Sequence, residues 1–389
     1  MPPSFSGSRL FGGPVLGKLR DFNWGFLFLI TVISCIGFAA LYSVADNAQG
    51  QPGSFDPWAE KQIVRFAIGL VVLGVVAVID LRIWMALAYP AYALALVLLV
   101  AVEFFGHVGM GAQRWINLGF MVIQPSELMK ISMVLALARY FHGIKGEQVS
   151  HIMYLIPPAI MVLVPVGLTA IQPDLGTAML LVMGSFIIFF FAGLSWRIII
   201  VGLGLGLAAI PVAWQFLHDY QRDRVLTFLD PSRDPLGAGY HSIQSKIALG
   251  SGGLFGKGFL MGTQSHLNFL PEKQTDFVFT AYAEEFGFIG AFGLLALYLT
   301  ALGFGLSIAL SCRNQFGRLT ATGVLATFLL YILINTSMVM GLVPVVGVPL
   351  PLVSYGGTAM MTLIFGFGLV MCVHLHRDQE IPRYRGVVL

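Results

Sequence analysis

Apolar residues in this chain fall into long runs separated by brief polar punctuation. Stretches of about 20 apolar residues, enough to cross a hydrocarbon core of ~30 Å, recur at roughly 22–44, 62–80, 83–105, 124–142, 153–171, 176–194, 197–217, 277–311, 319–343 and 356–376. The pattern predicts an all-α polytopic membrane protein with ten transmembrane helices. The eighth run is about 35 residues and would exceed ~50 Å at helical rise, so its start is expected to project from the membrane or to break near Gly287 and Gly290. One interval departs from the alternation. Between the seventh and eighth runs, 218–275 is polar and rich in glycine, yet it keeps apolar anchors such as Leu226, Phe228, Leu254 and Phe259. Within it, Tyr240 to Leu249 has helical spacing, with Ile243, Ile247 and Ala248 on one face; this suits a helix on the membrane surface. Gly250, Gly252, Gly253, Gly256 and Gly258 then predict tight turns or a close approach to another backbone.

Charge sets the orientation. Arg9, Lys18, Arg20, Arg82, Arg139, Lys145, Arg197, Arg313, Arg318, Arg377, Arg383 and Arg385 fall at one set of ends, whereas the short opposite loops carry Lys61, Arg65 and Arg114. By the positive-inside rule, the leader 1–21 and the tail 377–389 are cytoplasmic and the 218–275 loop is extracytoplasmic. The first run is too long for a signal-peptide core and lacks a small-residue cleavage site. Composition agrees: 57% of the 389 residues are hydrophobic and 11% charged, with mean hydropathy +0.83, against about 25% charged residues in soluble domains. A net charge of +3 gives no case for nucleic acid. Cys35, Cys312 and Cys372 sit in or beside apolar runs and read as small core residues. The eight histidines show no zinc-ligand spacing, which argues against zinc hydrolysis.

Four polar clusters lie at the outer ends of the spans. The first runs from Gly111 to Gly119 (GAQRWINLG) and continues in Gln124-Pro-Ser126-Glu127-Leu-Met-Lys130. Pro125 suits the first helical turn, and Glu127 and Lys130 are neighbours on one helix face. They read as an ion pair, compatible with function because ionisable groups inside a bilayer usually face a cavity or pathway. The second is Gln172-Pro-Asp174-Leu-Gly-Thr177, where Asp174 reads as the cap of the next helix. The third carries Arg222 and Arg224, either a solvated face or forked donors for phosphate. The fourth is Glu272-Lys-Gln-Thr-Asp276, followed by Glu284 and Glu285. Asp276 or Thr275 could simply cap span eight; on an unbroken helix Asp276 and Glu284 would share a side. Before span ten, Pro349-Leu-Pro-Leu-Val-Ser354-Tyr-Gly-Gly357 predicts a kinked or re-entrant loop. A carboxylate at the outer interface with cations nearby fits glycosyl or phosphoryl transfer from a lipid-linked donor. The diphosphate leaves unprotonated, and one carboxylate with a raised pKa serves as base. Transporters also keep such residues in their spans.

The stretches GAQRWINLG, QPSELMK, QPDLGT, FLDPSRDPLGAGYHSIQSKIALGSGGLFGKGFLMGTQS, LNFLPEKQTDFVFTAYAEEFGFIG and GLVPVVGVPLPLVSYGGTAM resemble the SEDS family of membrane peptidoglycan polymerases, in its RodA-type rather than FtsW-type branch. The resemblance spans 111 to 360, with Gln274 and Val278 as mild departures. It implies a single SEDS membrane domain over 1–389 in a bacterial cytoplasmic (inner) membrane, acting at its outer face. It implies a glycosyltransferase that polymerises lipid II into β-1,4 glycan, with inversion at the donor MurNAc C1 and release of undecaprenyl pyrophosphate. The resemblance puts the catalytic base on Asp276 and makes Arg114, Glu127 and Lys130 functionally important, with Arg114 and Lys130 expected to contact the diphosphate or sugar and Glu127 to organise them. Gln124, Ser126, Arg222, Arg224, Lys246 and Ser354 are expected to support substrate binding. It further implies a class B penicillin-binding protein as transpeptidase partner in cell elongation. No spacing demands a cofactor; whether a divalent cation (Mg or Mn) joins the diphosphate stays open, with Asp276, Glu127 and Asp174 as the acids that could supply oxygens to it. The competing readings are a lipid II flippase and a scaffold for the transpeptidase.

Overall fold

The structure, a computed structural model, describes residues 21–45, 52–109, 112–117, 119, 122–216, 219–230, 233, 238–267, 269 and 272–382. The basic leader 1–20 and the end of the tail, 383–389, lie outside the described residues.

Every apolar run folds as a helix: α1 (Trp24–Val44), α2 (Ala59–Val78), α3 (Leu81–Phe105), α4 (Pro125–Gly143), α5 (Ile152–Ile171), α6 (Leu175–Ala192), α7 (Trp196–Phe216), α11 (Val278–Ser311), α12 (Gln315–Val339) and α13 (Gly357–Leu375). Among the described residues, eight of these are long and apolar enough to cross a membrane. The two outside that group are α4, which carries Glu127, Lys130 and Arg139, and α7, whose apolar part is the shorter Trp196–Ala209. Short polar side chains start several helices by accepting otherwise unpaired N–H groups. Asn23 accepts from Phe26 at 3.1 Å, Asp80 from Arg82 at 2.8 Å and Asn314 from Gly317 at 2.6 Å. Pro125 occupies the first turn of α4, as expected.

The core is centred on α12, which packs against α4, α6, α11 and α13, while α13 lies along α2. Lipid is as apolar as leucine, so burial alone does not hold such helices together and close backbone approach matters more. Gly323 of α12 faces Val134 and Ile188, and Gly366 of α13 faces Val324 and Ile131.

Two features differ from an all-α reading with simple loops. The GAQRWINLG stretch contributes to a three-stranded antiparallel sheet, β1 (His107–Gly109), β2 (Ala112–Asn117) and β3 (Val122–Ile123). Within the outer segment, α8 (Asp219–Leu229), α9 (Ala238–Ser251) and the short α10 (Thr263–His266) form. The helix expected at Tyr240–Leu249 is therefore present, but it buries Ser245 and Ala248 and leaves Ile243 and Ile247 exposed.

The long α11 breaks at Gly287 (φ 66°, ψ −167°). In an unbroken helix the carbonyls of Glu284 and Glu285 would accept from Phe288 and Ile289. Here they accept from the N–H groups of Lys257 and Gly258, both at 3.0 Å, while Phe288 and Ile289 donate to the carbonyls of Gly253 and Leu254 at 2.9 and 3.1 Å. The glycine-rich loop is thus spliced into the break and satisfies it. A Cβ on Gly256 would lie 2.0 Å from the Glu285 carbonyl oxygen, which explains the glycine there.

Candidate active site

Asp276 lies in the turn 272–277 that leads into α11. Neither it nor Thr275 caps the helix; the capping position is Phe277, without a side-chain cap. The carboxyl is therefore not consumed by the helix it precedes. Two segments, α12 and the loop before α13, hold the backbone of this turn. Asn335 of α12 donates through Nδ2 to the Asp276 carbonyl at 3.0 Å and to the Val348 carbonyl at 2.7 Å. Ser354 donates through Oγ to the Thr275 carbonyl at 2.5 Å and accepts from the Leu350 N–H at 2.8 Å. The Tyr355 N–H donates to the Gln274 carbonyl at 2.8 Å. Gly347, with φ +71°, faces the carboxylate, and a Cβ there would sit 3.6 Å from Asp276 Oδ2. Burial, and secondarily the Glu272 carboxylate, raise the Asp276 pKa to about 6, while Arg224 pulls it down. A carboxylate in this range is suited to accept a proton near neutral pH.

One helical turn from Asn335, about 6 Å along α12, Tyr331 is the buried centre of the other cluster. Its hydroxyl donates to Glu127, with oxygens at 2.7 and 2.9 Å. Lys130 pairs with Glu127 at 2.7 Å and donates to the Tyr331 hydroxyl. Glu127 and Lys130 are both nearly sealed, 4% and 3% exposed, so the ion pair expected from their spacing exists but does not reach the surface. Ser126 beside them is buried, its Oγ without a partner among the described residues.

Arg114, on β2, is spent largely on the 172–174 turn: Nε donates to the Gln172 carbonyl at 3.3 Å, Nη2 to the Pro173 carbonyl, and Nη1 lies 3.8 Å from Asp174. Asp174 caps α6 through the Thr177 N–H at 3.2 Å, as its position predicts, and accepts from Gln124 Nε2 at 3.2 Å. The two clusters meet through the loop before α13. Gly176 abuts the Val346 carbonyl, 2.6 Å from where its Cβ would be, and Gly347 faces Asp276.

The remaining expected residues are more dispersed. Arg224 is exposed, donates to the Val345 carbonyl at 3.2 Å and belongs to the surroundings of Asp276. Arg222 instead closes the end of α7, donating to the Trp214 and Gln215 carbonyls at 3.2 and 2.9 Å. Lys246 is exposed and lies over Gly341. Glu284 does not join Asp276. Its carboxylate is taken by Lys257 at 2.6 Å, by the Thr263 N–H at 2.9 Å and by the Gln264 N–H at 3.1 Å. Beside it, Glu285 accepts from Ser43 and lies 3.4 Å from His266. Among the described residues no group of three or more His, Cys, Asp or Glu side chains is arranged to hold a metal.

Tyr331 and Asn335 are the site residues that sequence reasoning missed. Their one signal is that a Tyr and an Asn stand four residues apart, on one helix face, inside a mostly apolar run.

The chain is thus a membrane-helix bundle in which a buried carboxyl of raised pKa lies near internally compensated ion pairs. Residues 23–379 match the model of the cell cycle protein family FtsW/RodA/SpoVE, and the chain belongs to that family. It is 46% identical over 356 residues to the peptidoglycan glycosyltransferase MrdB of Escherichia coli K12, covering 90% of this chain and 93% of the relative. It is 31% identical to the peptidoglycan glycosyltransferase RodA of Treponema pallidum, over 92% of this chain and 98% of that one. Among solved structures, one described as the structural coordination of polymerization and crosslinking by a peptidoglycan synthase complex superposes with a TM-score of 0.79 at 35% identity, over 92% of this chain and 99% of that one. The rod shape determining protein RodA of Thermus thermophilus superposes with a TM-score of 0.69 at 32% identity, covering 92% and 98%.

Proposed function

We infer that this protein is a peptidoglycan glycosyltransferase that polymerises lipid II. The observation that carries the reading is Asp276: a carboxyl free of capping duty, in a turn whose backbone is held from two segments, with a pKa of about 6. In the proposed step Asp276 removes the proton from the 4-hydroxyl of the acceptor GlcNAc. The freed oxygen attacks C1 of the donor MurNAc, and the bond from C1 to the undecaprenyl diphosphate breaks with inversion. The electron pair leaves on the diphosphate, which needs cations rather than an acid. Arg224 is exposed near this region, whereas Arg114 and Lys130 act by holding the 172–174 turn and the Tyr331 cluster.

An apolar groove of about 530 Å³ between α2, α3, α4 and α13, lined by Val72, Trp84, Leu94, Leu128, Leu135 and Phe365, suits a polyprenyl tail beside the helix that bears Glu127. The ten helices that match the ten apolar runs support a ten-span layout with both termini cytoplasmic and Asp276 at the outer face. A class B penicillin-binding protein is the proposed partner; the superposition on a peptidoglycan synthase complex supports it. A divalent cation would have to be shared with the diphosphate itself. The acids offered for it are Asp276, Glu127 and Asp174, and the latter two are already engaged by Lys130, Tyr331, Arg114 and Gln124.

The test is glycan synthesis from labelled lipid II by the purified protein with its partner. Wild type makes polymer insensitive to moenomycin and Asp276→Ala makes none. Polymer from Asp276→Ala would remove the base assignment, and lipid II crossing liposomes without polymer would favour a flippase.

A further inference from the structure

Most cations near the site are compensated by the protein itself, but Arg65 is not. It extends from the second turn of α2, with its guanidinium carbon 4.8 Å from the centre of the Tyr355 ring. It also lies against the start of α13, where a Cβ on Gly357 would sit 3.2 Å from the same atom. Its Nη1 is buried without an acceptor, and among the described residues Arg65 makes no ion pair or hydrogen bond. A guanidinium stays charged at all working pH values, and a buried donor without a partner is costly. The geometry around it is fixed. Gln62, three residues earlier on α2, donates to the Ser354 carbonyl at 2.9 Å. The adjacent Tyr355 N–H is bonded to Gln274, two residues from Asp276. Helix α13 begins here without a side-chain cap. The result is a fork of donors held against the Tyr355 ring, on a different segment from the Arg114 and Lys130 clusters.

We propose that Arg65, stacked on Tyr355, is an anion site that binds the diphosphate of a lipid-linked sugar. This rests on the polymerase reading: joining two lipid-linked sugars brings two diphosphates together, one that leaves and one that stays on the acceptor. A planar fork suits two phosphate oxygens at once.

The test uses the full chain in detergent micelles, with undecaprenyl pyrophosphate and phosphatidylglycerol as separate probes. Arg65→Gln weakens undecaprenyl pyrophosphate binding by about tenfold or more, the effect of losing a hydrogen bond to a charged group. Arg65→Lys recovers part of it, since an ammonium keeps the charge but not the fork. In turnover, Arg65→Gln raises KM for lipid II more than it lowers kcat, and Asp276→Ala binds the diphosphate as wild type does. Unchanged binding by folded Arg65→Gln overturns the proposal. So does a lower melting temperature with unchanged binding, which would make Arg65 a prop for the Tyr355 loop. Equal weakening for phosphatidylglycerol would assign the site to bilayer headgroups instead. If wild type makes no glycan while Arg65→Gln still loses diphosphate affinity, the polymerase reading fails and the anion site stands.

Discussion

Replacing Asp276 by asparagine should abolish activity and stabilise the protein, and the size of the second effect follows from the surroundings of the carboxyl. Its pKa is about 6 in the folded chain against 3.8 for the unperturbed group. At 1.36 kcal/mol per tenfold change in proton affinity, the ionised form costs the folded state about 3 kcal/mol. The group's folded pKa is raised, so the stability associated with it is fully present below pH 3.8 and is lost as the pH climbs through 6. Linkage gives a cost of about 3 kcal/mol at pH 8 and about half that at pH 5. An uncharged asparagine of nearly the same shape carries none of it. The assay is thermal unfolding in detergent of wild type and Asp276→Asn at pH 5 and pH 8, with glycan synthesis measured in parallel. The variant should melt higher than wild type, by a margin that is wider at pH 8. Wild-type kcat/KM should fall about tenfold per pH unit below 6, as the base of the free enzyme becomes protonated. A variant no more stable than wild type at pH 8, or a margin that narrows between pH 5 and 8, would refute the claim that burial holds this carboxyl at a cost.

Two further substitutions probe the surroundings. Tyr331→Phe removes the hydroxyl shared by both Glu127 oxygens and Lys130. It should cost on the order of 1.5–3 kcal/mol in stability and reduce turnover by about ten- to a hundredfold through misplacement; unchanged melting and activity would show that the cluster is idle. Gly256→Ala puts a methyl 2.0 Å from the Glu285 carbonyl at φ +81° and should destabilise severely, whereas Gly250→Ala meets nothing within 4 Å and should be tolerated. Comparing folded yields and melting temperatures of the pair checks the splice, and equal behaviour would count against it.

The helices were legible because lipid demands long apolar runs and little else, and each of the ten runs folds as one. The break in α11 was legible too, since a span of about 35 residues is too long for the membrane and carries Gly287 and Gly290; the chain breaks at Gly287 and stays helical at Gly290. How that break is satisfied was not legible. The partners are backbone carbonyls and N–H groups about 30 residues away, and backbone has no letter in the sequence. The same reason explains the arginines. Arg114 and Arg222 look like phosphate ligands by residue type, yet their donors are committed to the carbonyls of Gln172, Pro173, Trp214 and Gln215. Asp174 and the Glu127–Lys130 pair were readable because capping and i,i+3 pairing are local. Asn335 was not, because its two acceptors lie 59 and 13 residues away in the chain.

The charge balance of the site bears on how the base is reset. Lys130 is neutralised by Glu127, and Arg114 sits beside Asp174, so neither presents a free positive charge to Asp276. Of the causes acting on Asp276, only Arg224 lowers its pKa. A bound donor adds the negative charge of its diphosphate, and a like charge nearby raises a carboxyl's pKa further. On the proposed mechanism, therefore, Asp276 is a stronger base with the donor in place than without it. It takes the acceptor proton while the diphosphate is bound. Once undecaprenyl pyrophosphate departs, the pKa falls back toward 6 and the proton is released to water. The site needs no second acid to complete the cycle, because the leaving group's own charge governs the proton affinity of the base.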